Sequence, residues 1–137
     1  MPAPQKPSSE KRIHIPYPSA AGDLPFSSAV VIGNTAYLSG HLGLTPGTRT
    51  VPSDIDAEIH AMMSSLRDTL TRAMLTMNDL VFVQVFCSDV SLFDQFNAIY
   101  TTYFQYPLPA RAFLGSGSLL FGAHFEIQGI AVKATDA

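Results

Sequence analysis

The segment 55–87 constrains the fold most, because an amphipathic helix pattern runs directly into a strand that is apolar on both faces. Ser53 and Asp56 resemble a capping box at the start of this helix, and Asn78-Asp79 is expected to close it. A helix with one apolar stripe must pack against another element, so the chain needs a layered fold. The stripe recurs at intervals of three or four residues: Ile55, Ile59, Met62, Leu66, Leu70, Ala73 and Met77.

The strand that follows is predicted to be central in a sheet. Leu80–Cys87 is rich in valine and phenylalanine and apolar on both faces apart from Gln84, as in strands that are covered on both sides. A second helix is predicted over 91–104, with Ser91 and Asp94 as its cap. Its apolar stripe consists of Phe93, Phe96, Tyr100 and Tyr103.

The remaining segments read as strands and turns. Gly33-Asn34 predicts the turn of a hairpin, and Ser39-Gly40 is interpreted as the end of its second strand. The order β-β-α-β-α-β-β predicts an α+β fold, a mixed sheet with both helices on one face. The other face then needs a cover, which predicts self-association. Strands are expected at residues 28–32, 35–38, 111–114 and 124–132, with at most a short one at 13–15.

Composition narrows the classes of partner. Hydrophobic residues make up 47% of the 137 residues and charged residues only 14%, which again favours self-association over a monomer. The net charge of −3 predicts no nucleic-acid partner, and the lack of an apolar stretch of about 18 residues predicts no membrane partner.

The single cysteine, Cys87, excludes an internal disulfide. We expect a flexible tail at 1–12, one domain at 13–137, no secretory signal, and a cytoplasmic location.

Two charges stand alone in apolar, strand-like runs. Arg111 follows Pro109-Ala110, where it is either a bidentate clamp for a carboxylate or one partner of an ion pair. Glu126 lies between two apolar residues, where it is either a general acid/base with a raised pKa or a solvent-facing strand residue. Together they make a plausible minimal active site.

Other polar residues are less informative. Ser39-Gly40 could offer backbone groups to a ligand, although an ordinary strand end is the simpler interpretation. His41 could line a pocket, and Cys87 is expected to be a small core residue. The four histidines lack metal-ligand spacing, so no metal site is predicted.

These residues, taken in order, resemble the Rid family, whose older name is YjgF and which is also known as endoribonuclease L-PSP. The resemblance runs over about residues 24–132, nearly the whole predicted domain. It is carried by the segments 24–30 and 33–40, by 93–104 with Asn97, by Pro109-Ala110-Arg111 and by Phe125-Glu126-Ile127.

The resemblance implies a chorismate-mutase-like fold of the bacillary type and a homotrimer with clefts between subunits. It also implies hydrolysis of 2-enamine or 2-imine acids to 2-keto acids and ammonia, with no metal or organic cofactor. Arg111 would bind the carboxylate of a small substrate, and Glu126 would activate water. Ser39-Gly40 would offer a backbone contact, with Asn97 near the site.

The sequence departs from the family around this expected pocket. Phe26 stands where many members carry a tyrosine whose hydroxyl lines the site, and Phe113 replaces a smaller residue such as cysteine. His41 stands where glutamine is common. We expect these changes to alter the substrate preference relative to other family members.

The alternative is a non-catalytic trimeric homologue that binds small carboxylates such as keto acids, as a sensor or partner protein. A ribonuclease is disfavoured by the negative charge and the lack of a histidine pair.

Overall fold

Alternating apolar residues and two amphipathic helices produce a mixed sheet with helices on one face. The computed structural model describes residues 11–18 and 24–134. Along the chain the elements are β1 (Arg12–Ile15), β2 (Ala29–Ile32), β3 (Thr35–Leu42), α1 (Ile55–Arg72), β4 (Leu80–Cys87), α2 (Phe93–Tyr100), β5 (Ala110–Gly115) and β6 (Phe125–Val132). The sheet order is β1-β2-β3-β6-β4-β5, and all neighbours are antiparallel except β4 and β5. The predicted α+β class and mixed sheet are confirmed, with the short β1 at one edge.

The core lies between the sheet and the helices. Every second residue of β4 and β6 faces it, and the stripe of α1 closes it from the other side as predicted. The ring of Phe96 on α2 packs 5.1 Å from that of Phe125 on β6. The residues fully buried there include Val83, Val85, Cys87, Phe125, Ile127, Ile59, Met62, Leu66 and Leu70.

The opposite face of the sheet carries no helix. It is lined by residues that alternate with the core positions, and most of them are half-buried or exposed. Gln128 Nε2 donates to Gln84 Oε1 at 2.6 Å in the middle of this face. A shallow groove of about 210 Å³ is lined by Tyr37, Leu38, Phe82, Gln84, Gln128, Gly129 and Ile130. We call this surface the open face.

The predicted end of β3 at Ser39-Gly40 is wrong. The strand continues to Leu42, and the register with β6 shifts between Leu38 and His41. Such a shift marks a β-bulge, which places an extra residue in one strand without ending it. The glycine belongs to the irregular stretch inside the strand.

The predicted limits of the first helix also need correction. Asp54, not Ser53, is the N-cap, and its carboxylate accepts from Ala57 N at 3.0 Å. The helix ends at Arg72, because Met74 adopts a left-handed conformation with φ of 63°. Met77, predicted to lie on the helix, belongs to a separate 3-10 turn at Met77–Asp79.

The second helix is shorter than predicted. It covers Phe93–Tyr100 and is flanked by 3-10 turns at Val90–Leu92 and Thr101–Tyr103. The cap belongs to the first of these turns, where Asp89 accepts from Ser91 N at 3.0 Å.

Most of the predicted tail, residues 1–10, lies outside the described residues, and Arg12 already belongs to β1. Within 11–18 and 24–134, no helix is both long and apolar enough to cross a bilayer.

Candidate active site

Arg111 lies inside an aromatic enclosure. It pairs with Val83 in the parallel β4–β5 ladder, so its side chain leaves the sheet on the core face. The guanidinium carbon is 4.8 Å from the ring centre of Tyr100 and 5.4 Å from that of Phe113, at cation–π distances. The rings of Phe93 and Phe96 follow at 5.7 and 6.0 Å. Within the described part of the chain, the guanidinium makes no hydrogen bond and no ion pair.

Two buried polar atoms of α2 lack a partner. Asn97 Oδ1 and the Tyr100 hydroxyl find no hydrogen-bond partner among the residues described, although buried polar atoms are normally hydrogen-bonded. Burial raises the pKa of Tyr100 to about 12, so its hydroxyl stays neutral. The Tyr100 hydroxyl belongs to the ring that lies against the guanidinium of Arg111, so it is the one of the two that the structure connects with this cation.

Phe113 forms a wall of the enclosure. Its ring meets that of Phe93 edge to face at 5.0 Å, and the ring of Phe96 is 5.4 Å away. Phe93 is 42% exposed, so the enclosure reaches the surface. The bulky residue therefore adds an apolar surface beside the cation.

Glu126 lies on the open face, against a glycine. It pairs with Phe86 on one side and Leu42 on the other. A Cβ atom at Gly40 would overlap Glu126 Oε1 and lie 3.0 Å from its Cδ. The missing side chain of Gly40 is thus the space that the carboxylate occupies. Burial raises the pKa of Glu126, which makes the carboxylate a stronger base.

A polar network holds the bulge that contains Gly40. Ser39 Oγ donates to Ser27 O at 2.6 Å, and Ser39 N donates to Ser28 O at 3.0 Å. His41 is 1% exposed and lies between Ser39 O at 2.6 Å and Thr69 Oγ1 at 2.8 Å. It lines no pocket, contrary to one interpretation of the sequence, because its side chain turns toward α1.

The histidine in this network is neutral. Burial lowers the pKa of His41 to about 4, against a smaller opposing effect of its bond to Ser39. Since a carbonyl only accepts, Nδ1 carries the proton and Nε2 accepts from the Thr69 hydroxyl. The network thus ties the bulge of β3 to helix α1.

Tyr17 is the residue of this region that the sequence analysis missed. Its hydroxyl donates to Gly40 O at 2.8 Å. Its ring meets the ring of Phe26 edge to face at 5.2 Å, and Phe26 itself is 50% exposed. The segment Pro16-Tyr17-Pro18 reads only as a strand breaker in the sequence, so nothing in the local pattern points to this contact.

The two charged residues do not meet within one chain. Glu126, Phe86 and Leu114 are register neighbours and share one face of the sheet. Arg111 precedes Leu114 by three positions, so alternation puts it on the other face. One copy of the chain thus carries Arg111, within its aromatic enclosure, on one side of the sheet and Glu126, against Gly40, on the other.

Among the described residues no three histidine, cysteine, aspartate or glutamate side chains are grouped to hold a metal ion.

A mixed sheet covered by two helices, with a lone arginine on its edge strand β5 and a lone glutamate on its inner strand β6, defines a small class of proteins. The sequence model of the family described as "Endoribonuclease L-PSP" matches residues 17–133. The mouse 2-iminobutanoate/2-iminopropanoate deaminase is 38% identical over 117 residues, which are 85% of each chain. A RutC family protein of Sulfurisphaera tokodaii is 31% identical over 80% of this chain and 88% of its own.

Solved structures agree with the fold. RidA from an Antarctic Psychrobacter superposes with a TM-score of 0.78 at 28% identity, covering 88% of this chain and 94% of its own. The Rid family protein YyfA from Yersinia pestis gives a TM-score of 0.82 at 27% identity, covering 90% of this chain and 100% of its own. The chain belongs to the L-PSP family, that is, to the Rid proteins.

Proposed function

We propose that this protein hydrolyses reactive 2-imine and 2-enamine acids to 2-keto acids and ammonia. The observation that supports this proposal most is Arg111, a cation without an ion-pair or hydrogen-bond partner among the described residues. It lies against the ring of Tyr100, whose hydroxyl is also unpartnered. A bidentate carboxylate is the ligand that such a guanidinium binds best. The relatives named as iminobutanoate deaminases act on molecules with that group.

The chemistry needs only orientation and one base. Arg111 holds the substrate carboxylate, which places the electrophilic imine carbon. Glu126 takes a proton from water while the water oxygen bonds to that carbon and the C=N π electrons move to nitrogen. Glu126 returns this proton to nitrogen, which gives the carbinolamine. Glu126 then takes the hydroxyl proton as the C=O bond forms, and it passes that proton to nitrogen as the C–N bond breaks, so that ammonia leaves with both protons of the water. Burial of Glu126 supports this role, because it raises the pKa of the base.

We propose further that each site is shared between two copies in a homotrimer. Arg111 and Glu126 leave opposite faces of one sheet, so a single copy cannot apply both to one substrate. The open face supports association, since it carries apolar side chains such as Tyr37, which is 51% exposed. A cleft between subunits would join the Arg111 enclosure of one copy to the Glu126 pocket of another.

The test couples an amino-acid oxidase to the protein. The oxidase generates 2-imino acids from a panel of amino acids, semicarbazide traps what remains, and loss of the adduct reports hydrolysis. We expect wild type to divert the imine, and Arg111→Ala to lose about 10³-fold in kcat/KM because the carboxylate loses its partner. Arg67→Ala is the matched control: Arg67 also stacks on a ring, that of Tyr103 at 5.3 Å, but outside the site.

Activity in wild type that survives Arg111→Ala would contradict this assignment. No activity on any imine, combined with saturable keto-acid binding that Arg111→Ala abolishes, would favour the second candidate, a non-catalytic carboxylate-binding protein. The specific observation behind that candidate is Phe113, whose ring stands 5.4 Å from the guanidinium as an added apolar wall.

A further inference from the structure

We propose that Tyr17 is a positioning residue of this site, whose hydroxyl fixes the carbonyl of Gly40 and so preserves the space that the Glu126 carboxylate occupies. The proposal rests on the proposed function for its kinetic consequence. The contacts themselves belong to one chain and are independent of it.

The need for such a residue follows from the lengths of the strands. β2 begins at Ala29, opposite Leu38, so β3 extends beyond its neighbour from Ser39 onward. Ser39 N still donates to Ser28 O just before β2, but Gly40 lies beyond the paired residues of the two strands. The Tyr17 hydroxyl supplies a bond there, donating to Gly40 O at 2.8 Å.

Tyr17 is itself held at its backbone. Ser28 N donates to Ile15 O at 2.7 Å, which ties the end of β1 to the start of β2. The Arg72 guanidinium donates to Pro16 O, which ties the next residue to the last turn of α1. The Phe26 ring packs edge to face on that of Tyr17. The hydroxyl is thus delivered to Gly40 from an anchored segment.

The hydroxyl and the carboxylate meet at the same glycine from different sides. Tyr17 reaches the carbonyl oxygen of Gly40, while Glu126 fills the place of its missing side chain. The negative charge of Glu126 adds to burial, the larger cause, in raising the pKa of Tyr17. The phenol therefore remains a neutral donor throughout the pH range in which an imine hydrolase would work.

The test is Tyr17→Phe, which keeps the ring and its packing on Phe26 and removes only the hydroxyl. We expect kcat for imine hydrolysis to fall about tenfold with KM changed less than about twofold, because Arg111 still binds the carboxylate while the base is misplaced. The matched control is Tyr103→Phe, which removes another bonded tyrosine hydroxyl, 2.7 Å from His60 Nδ1 on the helix side. Its kcat should equal that of wild type, and equal kcat values for the two variants would overturn the proposal.

A second readout needs no turnover. The pKa of Tyr17 is followed by NMR of ring-labelled tyrosine and assigned by the signal that Tyr17→Phe removes. Glu126→Gln should lower this pKa, because the raising charge is lost, whereas Asp94→Asn on the first turn of α2 should leave it unchanged. If wild type hydrolyses no imine, the proposed function fails and this titration alone decides. An unchanged pKa of Tyr17 in Glu126→Gln would then refute the placement of both groups at Gly40.

Discussion

Arg111 and Glu126 are both lone charges in apolar strands, Arg111 on the edge strand β5 and Glu126 on the inner strand β6, and their surroundings are built differently. Side chains enclose Arg111: four aromatic rings from α2 and β5 stand within 6.0 Å of its guanidinium carbon. Backbone geometry accommodates Glu126: a bulge in β3 presents Gly40, and the absent side chain leaves room for the carboxylate. The comparison teaches that the surroundings of Arg111 depend on aromatic side chains, whereas those of Glu126 depend on where one stretch of backbone lies.

Two residues that depart from the family resemblance fit these surroundings. Phe113 is one more wall of the enclosure around Arg111. Phe26 lacks a hydroxyl, but its ring packs on that of Tyr17, whose hydroxyl is bonded to the backbone of Gly40.

The largest effect should come from Gly40→Ala, which removes the space that the Glu126 carboxylate occupies. The three atoms nearest to the new Cβ all belong to the side chain of Glu126, so the carboxylate must leave its position while the backbone can stay. We expect imine hydrolysis to fall about 10³-fold in kcat, the scale of losing a general base, with the midpoint of thermal unfolding little changed. The coupled oxidase assay and circular dichroism measure the two quantities.

Gly117→Ala is the control for that substitution. No atom outside its chain neighbours lies within 4 Å of a Cβ added there, and Gly117 is exposed. Its activity should match wild type. Full activity in Gly40→Ala would show that Glu126 does not need this space. It would also contradict the difference drawn between the surroundings of Arg111 and those of Glu126.

A smaller effect should appear in the acid stability of the network behind the bulge. Because the pKa of His41 is about 4 in the folded protein and 6.5 ordinarily, the unfolded chain takes up a proton first as the pH falls. The stability that neutral His41 contributes is complete above pH 6.5 and is lost as the pH falls toward about 4. The loss between these limits amounts to about 3 kcal/mol in the free energy of unfolding.

His41→Gln should flatten this dependence, since a glutamine amide can bond to the same partners without titrating. His60→Gln, at an exposed histidine bonded to Tyr103, should leave the wild-type slope unchanged. Urea unfolding at neutral pH and near pH 4 measures the slope, at one protein concentration because association adds stability. A wild-type slope in His41→Gln would contradict the assignment of a buried neutral histidine.

Much of the fold follows from the sequence because periodicity reports burial. The stripe of α1, the hairpin at Gly33-Asn34 and the central strand Leu80–Cys87 are all as predicted. The errors have local causes: Met74 enters the left-handed region and ends α1 early, and a bulge carries β3 past Gly40. Neither is encoded by hydrophobic spacing.

The sequence indicates candidate residues for a site and does not indicate how they are arranged. Arg111 and Glu126 stand out in the sequence as lone charges in apolar runs. Their opposite faces follow only from the register of β4 with β5 and β6. Tyr17 lies in a segment without periodicity, and its bond to Gly40 joins residues 23 positions apart. Register and tertiary contact between distant segments are the information that one sequence lacks.

The most direct test of the shared site mixes two inactive chains. Arg111→Ala and Glu126→Gln are each prepared alone and then co-assembled in equal amounts, and imine hydrolysis is measured for the three samples. If each cleft takes its arginine from one copy and its glutamate from another, a random mixture contains about one intact site in four and should recover about a quarter of wild-type activity. If both residues serve a site within one chain, no mixture contains an intact site, and activity as low as that of the separate variants would contradict the account.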